Sequence, residues 1–185
     1  MKRLSQLGVA LLLAGMTALP ANAQTSFKIG VSGGGTFPVG AFGDLNDAGY
    51  NFGAHALITS PFFPQDFKIE LQHNRMKLEG TDTNTMVTSA TLNLELNPGS
   101  ALARVAPYLS AGLGGYYVKT ALRGATPTTT QYDNVTKFGL NAGGGLRFAV
   151  AGFNTFLEAR YHRVRSGRFV SGSVTYVPVV FGVTF

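Results

Sequence analysis

The sequence predicts an all-β fold: a closed, antiparallel, up-and-down transmembrane β-barrel of about eight strands. Three observations predict it. Hydrophobicity alternates with a period of two along most of the chain, the signature of strands with two chemically different faces. Beyond the first residues, no apolar run is long enough to cross a bilayer as a helix. Segments between the alternating stretches switch between short turns and longer loops.

The last stretch, 173–185, shows the alternation most clearly. Thr175, Val177, Val179, Phe181, Val183 and Phe185 share one face, and Tyr176, Pro178, Val180, Gly182 and Thr184 the other. The first strand sets Phe27, Ile29, Val31 and Phe37 against Lys28, Gly30, Ser32 and Thr36. The second, from about residue 49, sets Tyr50, Phe52, Ala54, Ala56 and Ile58 against Asn51, Gly53, His55 and Thr59. In the third, Phe67, Ile69 and Leu71 oppose Lys68, Glu70, Gln72 and Asn74. In the fourth, Met86, Ala90, Leu92, Leu94 and Leu96 oppose Ser89, Thr91, Asn93 and Glu95. The fifth opposes Leu109, Ala111, Leu113 and Tyr117 to Tyr108, Ser110 and Tyr116. The sixth opposes Phe138, Leu140, Ala142, Leu146 and Phe148 to Lys137, Asn141 and Arg147, and the seventh Leu157, Ala159 and Tyr161 to Glu158, Arg160 and His162. Each stretch is close to the roughly 9–11 residues a tilted membrane strand needs.

Short connections are expected near 61–65, 97–103 and 151–154, where Ser60-Pro61, Asn97-Pro98-Gly99 and Ala151-Gly152 supply turn chemistry. Longer ones are expected near 38–48, 78–85, 120–134 and 164–172. An even strand count puts both ends of the barrel chain on the short-turn rim.

The first residues read as an export signal. Lys2 and Arg3 precede a short apolar run over 7–14, and Ala21-Asn22-Ala23 is an A-x-A cleavage site. Residues 1–23 are therefore expected to be a cleaved signal peptide and 24–185 the barrel domain. The absence of cysteine excludes disulfides, thiolate metal sites and a cysteine nucleophile. Net charge is +6, or +4 without Lys2 and Arg3, since 13 basic residues then face 9 acidic ones. These charges are scattered, so no nucleic-acid partner is expected.

Within lipid, every backbone N–H and C=O needs a partner inside the protein, so a sheet must close on itself. The apolar face must then look outward, and the charged face must look into a narrow lumen. Lys28, Lys68, Glu70, Glu95, Arg147, Glu158 and Arg160 are accordingly expected to form a lumen network of ion pairs and hydrogen bonds. A soluble barrel of similar strand count would turn the same pattern the other way round.

Three stretches carry a family resemblance: Pro107-Tyr108-Leu109-Ser110-Ala111-Gly112-Leu113-Gly114-Gly115, Phe156-Leu157-Glu158-Ala159-Arg160-Tyr161, and the ending Val177-Pro178-Val179-Val180-Phe181-Gly182-Val183-Thr184-Phe185. On these the chain resembles the small outer-membrane β-barrel proteins related to the transmembrane domain of outer membrane protein A and to the opacity-type porins. The resemblance implies eight strands and a Gram-negative outer-membrane location reached through the periplasm. It also implies that Val179, Phe181, Val183 and Phe185 form the terminal signal read by the barrel assembly machinery. It implies no catalytic residue.

The functional expectation is a non-enzymatic outer-membrane protein with an envelope-integrity or adhesion-type role. It is expected to be monomeric, to use no cofactor or metal, and to have membrane lipid and lipopolysaccharide as partners. Arg163, Arg165 and Arg168 sit where the seventh strand leaves the membrane, and guanidinium groups match phosphate oxygens bidentately, so lipopolysaccharide contact is the functional reading there. The loop near 120–134 is the expected recognition surface. A narrow channel is the first alternative, although an eight-stranded lumen is normally filled by side chains. A lipid A-modifying enzyme is the second. His55, His73 and His162 are its available bases, but none lies in a His-x-Ser pair. Glu158 and His162 stand about 13 Å apart along one strand, too far to share a metal ion.

Overall fold

The computed structural model describes residues 25–60, 62–63, 65–80, 84–97, 104–121, 135–150, 152–165 and 173–185, excepting the side chains of 120, 121 and 135. The proposed signal segment, Arg168 and most of the expected recognition loop lie outside the described residues.

Among the described residues, eight strands close into one antiparallel barrel in sequence order: β1 (Ser26–Pro38), β2 (Asn46–Thr59), β3 (Gln65–Leu78), β4 (Asn84–Leu96), β5 (Val105–Ala121), β6 (Val135–Val150), β7 (Phe153–Val164) and β8 (Val174–Thr184). The closing seam pairs β1 with β8 from Gly30↔Thr184 to Pro38↔Tyr176. Phe185 and Ile29 exchange backbone hydrogen bonds of 2.8 and 3.2 Å beyond it. Closure leaves no free sheet edge, the condition for a sheet surrounded by lipid. The start of β1 and the end of β8 share the near rim with the β2–β3, β4–β5 and β6–β7 connections. Gly152, at φ 88°, supplies the left-handed residue that the tight β6–β7 turn requires.

The distribution of side chains is inverted relative to a water-soluble protein. Lys68, Glu70, Glu95, Glu158, Arg160 and His162 are at most 2 % exposed, whereas Ile29, Leu71, Leu109, Leu140 and Phe181 are 56–60 % exposed. Apart from the start of β2 and Thr175, the lipid-facing and lumen-facing sets follow the alternation along the strands, which fits a barrel solvated by hydrocarbon outside and by its own polar side chains inside.

Local geometry departs from the expected pattern in three places. The anticipated long connection near 78–85 shrinks to 79–83, because pairing persists through Met76↔Thr85 and Lys77↔Asn84. The β4–β5 connection on the near rim is longer than this, so loop length does not alternate strictly. A β-bulge between Asp47 and Tyr50 inserts one residue and reverses the alternation of β2. Asn46 and Asn51 therefore both point inward, and the strand starts three residues before the pattern of two becomes visible.

Thr175 is the third departure. It falls on the lipid-facing register but is 7 % exposed. The segment entering a short 3-10 turn (Gly40–Leu45) crosses it, and the Thr175 hydroxyl donates to the Val39 carbonyl at 2.7 Å. This fold-over brings Phe42 against a cluster of Met76, Val87, Tyr116, Val164, Val174 and Tyr176, which closes the lumen toward the far rim.

Candidate functional site

The lumen holds a continuous chain of charge pairs. Starting near β3 and crossing the barrel, Asp66 contacts Arg147 at 3.5 Å, Arg147 contacts Glu95 at 2.6 Å, and Glu95 contacts Lys68 at 2.8 Å. Lys68 also contacts Glu158 at 2.8 Å, Glu158 contacts the Arg160 Nε at 2.8 Å, and Arg160 pairs with Glu70. The Tyr108 hydroxyl donates to Glu158 at 2.9 Å, and Lys68 lies 5.6 Å from the centre of the Phe156 ring. Four carboxylates thus meet three cations and a phenol. Removing these charges from water is costly, and the pairing together with hydrogen bonds to remaining lone pairs offsets that cost.

Six of the seven residues named from sequence, Lys68, Glu70, Glu95, Arg147, Glu158 and Arg160, meet in this chain. Lys28 does not join it. It lies half-buried near the start of β1 and pairs with no carboxylate among the described residues. Asp66, Tyr108 and Asn97, which donates to Asp66 at 3.0 Å, complete the near-rim end and were not anticipated as members. Their inward register was visible in sequence, but their partners sit on distant strands.

Close packing is possible because small and large residues interdigitate. A Cβ on Gly145 would collide first with the Leu157 backbone carbonyl and then, at 2.8 Å, with the Tyr108 ring, so glycine there spares both the β6–β7 backbone and the space from which Tyr108 reaches Glu158. Between His55, Lys68, Glu95, Tyr108, Arg147 and Phe156 the remaining cavity is about 10 Å³, room for about one water molecule. Toward the far rim, Tyr116 and His162 share a 3.0 Å hydrogen bond, and His162 stacks on Tyr176 with ring centres 4.9 Å apart.

The histidines fall in three separate environments. His55 contacts the Thr184 hydroxyl at 2.9 Å inside the lumen, and His162 lies between two tyrosines. His73 faces outward, 2.9 Å from the Thr88 hydroxyl and 5.2 Å from the Phe52 ring. The His73–Thr88 pair has the spacing of a base and a hydroxyl nucleophile, but no acidic partner orients His73 among the described residues. Glu158 and His162 bond to different groups, and no cluster of three metal-ligating side chains occurs among the described residues.

On the outer wall at the far rim, Arg163 and Arg165 are both exposed. They border a groove of about 420 Å³ with Phe138, Gly139, Leu140 and Ser173.

Comparison with solved structures bears on this geometry. The chain aligns with Neisserial surface protein A (NspA) at a TM-score of 0.71, covering 86 % of this chain and 97 % of that one, with 17 % identity. The chain has the fold of the small outer-membrane β-barrels. The N-terminal β-barrel domain of Pseudomonas aeruginosa OprF aligns with a TM-score of 0.52, covering 88 % of this chain and all of that one, at 13 % identity. No protein-family model and no curated protein matches the sequence itself. At these identities what the outer-membrane barrels share with this one is the path of the backbone, since lumen and loop side chains vary freely once strand number and closure are kept.

Proposed function

We propose that this protein is a non-enzymatic barrel of a Gram-negative outer membrane, contributing to envelope integrity or presenting its far-rim loops to surface partners. One observation carries the proposal: the buried side chains are charged and the exposed ones aliphatic or aromatic, an arrangement that only a hydrocarbon surround stabilises. The outer-membrane location and envelope role are supported by the likeness to NspA and the OprF barrel, and export by the signal pattern at 1–23. In this proposal Val179, Phe181, Val183 and Phe185 are the terminal signal read by the assembly machinery, and the folded barrel is a monomer. Among the described residues the ion-pair chain and the Tyr116–His162–Tyr176 cluster fill the lumen with side chains, which weighs against the channel alternative.

Membrane fractionation followed by gel mobility tests the proposal. The protein is expected to sediment with outer membranes and to migrate faster before boiling than after. Recovery from the soluble periplasm, with no heat-dependent shift, would overturn it.

A further inference from the structure

The outer wall of β7 changes chemistry with height. From mid-barrel toward the far rim its lipid-facing positions are Leu157, Ala159, Tyr161 and Arg163, and Arg165 follows one residue beyond the strand's end. Aliphatic, then phenolic, then cationic is the order of a leaflet's hydrocarbon, interface and head-group layers. The Arg165 N–H still pairs with the Phe138 carbonyl just past the end of β7, so at the strand rise Arg163 and Arg165 stand about 7 Å apart on the same side.

Neither arginine has a carboxylate partner among the described residues. The flanking strands β6 and β8 contain no acidic residue, and Glu158 of β7 points into the lumen. The 420 Å³ groove beside the arginines is walled by Phe138 and Leu140, 51 % and 57 % exposed. Its position is held by the backbone: Leu140 registers with Arg163, and the Arg165 N–H donates to the Phe138 carbonyl at 3.1 Å. An apolar trough beside two guanidinium groups that meet no carboxylate among the described residues matches an amphiphile with acyl chains and more than one negative charge.

We infer that this groove seats the phosphorylated, multiply acylated lipid A portion of lipopolysaccharide. Arg163 and Arg165 donate to its phosphate oxygens, and an acyl chain lies along Phe138 and Leu140. Phosphatidylcholine and phosphatidylglycerol fit less well, since the first brings its own cation and the second offers a single phosphate to two arginines. The inference rests on the proposed outer-membrane location for the leaflet that the far rim meets. The contact itself can be measured without cells.

Purified, refolded protein is placed in phosphatidylcholine nanodiscs containing bisphosphorylated lipid A, dephosphorylated lipid A or phosphatidylglycerol. Lipid retained after transfer to mild detergent is counted by native mass spectrometry. Retention of bisphosphorylated lipid A is expected, with little of the other two. The Arg163→Gln/Arg165→Gln variant, checked for an unchanged heat-dependent gel shift, should retain about tenfold less. Equal retention by that variant, of dephosphorylated lipid A, or of phosphatidylglycerol would overturn the site. The lipid comparison uses the unaltered protein, so it decides the matter even if the variant misfolds. Recovery of the protein outside the outer membrane would instead refute the location and leave these binding results standing.

Discussion

Lys68 on β3 reaches across the lumen to Glu158 on β7, with Nζ 2.8 Å from Oε2. In a barrel of eight strands in sequence order these two stand on opposite walls, so the contact braces the cross-section at its widest. Both side chains are at most 3 % exposed, which makes the pair sensitive to loss of either member.

Neutralising Glu158 leaves Lys68 with Glu95 alone and Arg160 with Glu70 alone, and takes the acceptor from Tyr108. Glu158→Gln is expected to destabilise the barrel by about 1–3 kcal/mol, whereas Lys28→Gln, outside the network, should change stability by less than about 0.5 kcal/mol. Reversible urea unfolding in lipid vesicles, followed by tryptophan-free tyrosine fluorescence or circular dichroism, measures both. Combining Lys68→Met with Glu158→Leu should recover part of the loss, because no isolated charge remains.

The Tyr108 phenol occupies space that only a glycine at position 145 leaves open. Gly145→Ala is therefore expected to cost about 1–3 kcal/mol, while Gly115→Ala, where an added Cβ meets nothing within 4 Å, should be close to neutral. The same unfolding experiment separates the two. Equal effects would mean that lumen packing does not limit stability.

Leu113 lies at the middle of β5 and registers with Leu92 on one side and Leu140 on the other, so it marks the lipid-facing mid-height of the wall. Leu113→Arg should destabilise by about 2–4 kcal/mol in a bilayer, and an arginine at Val105, at the near rim, by about 1 kcal/mol or less. A flat profile with depth would contradict a membrane-embedded outer surface.

A cavity of about 10 Å³ at the near end and the His162–Tyr176 stack toward the far end mark a lumen filled by side chains among the described residues. Planar-bilayer recordings are expected to show no discrete conductance steps above leak. Stable ohmic steps in the unaltered protein would favour the channel alternative.

The alternation of apolar and polar residues was enough to locate eight strands, and the Phe181, Val183 and Phe185 stripe together with charges on the opposite face was enough to orient them. The bulge at Asp47/Tyr50 hid the start of β2, because one inserted residue breaks a pattern that has no other marker. The buried Thr175 was equally hidden, since the segment covering it comes from the other end of the chain.

By itself, the sequence determined which side of each strand is greasy and which is charged, because that property is local and repeats every second residue. Which charges meet was decided only by the tertiary structure. Lys68 is opposite Glu158 rather than Glu70 because strand number and register set what faces what across a closed cylinder. The same holds at the far rim, where Phe138 and Leu140 come beside Arg163 and Arg165 only through the pairing of β6 with β7.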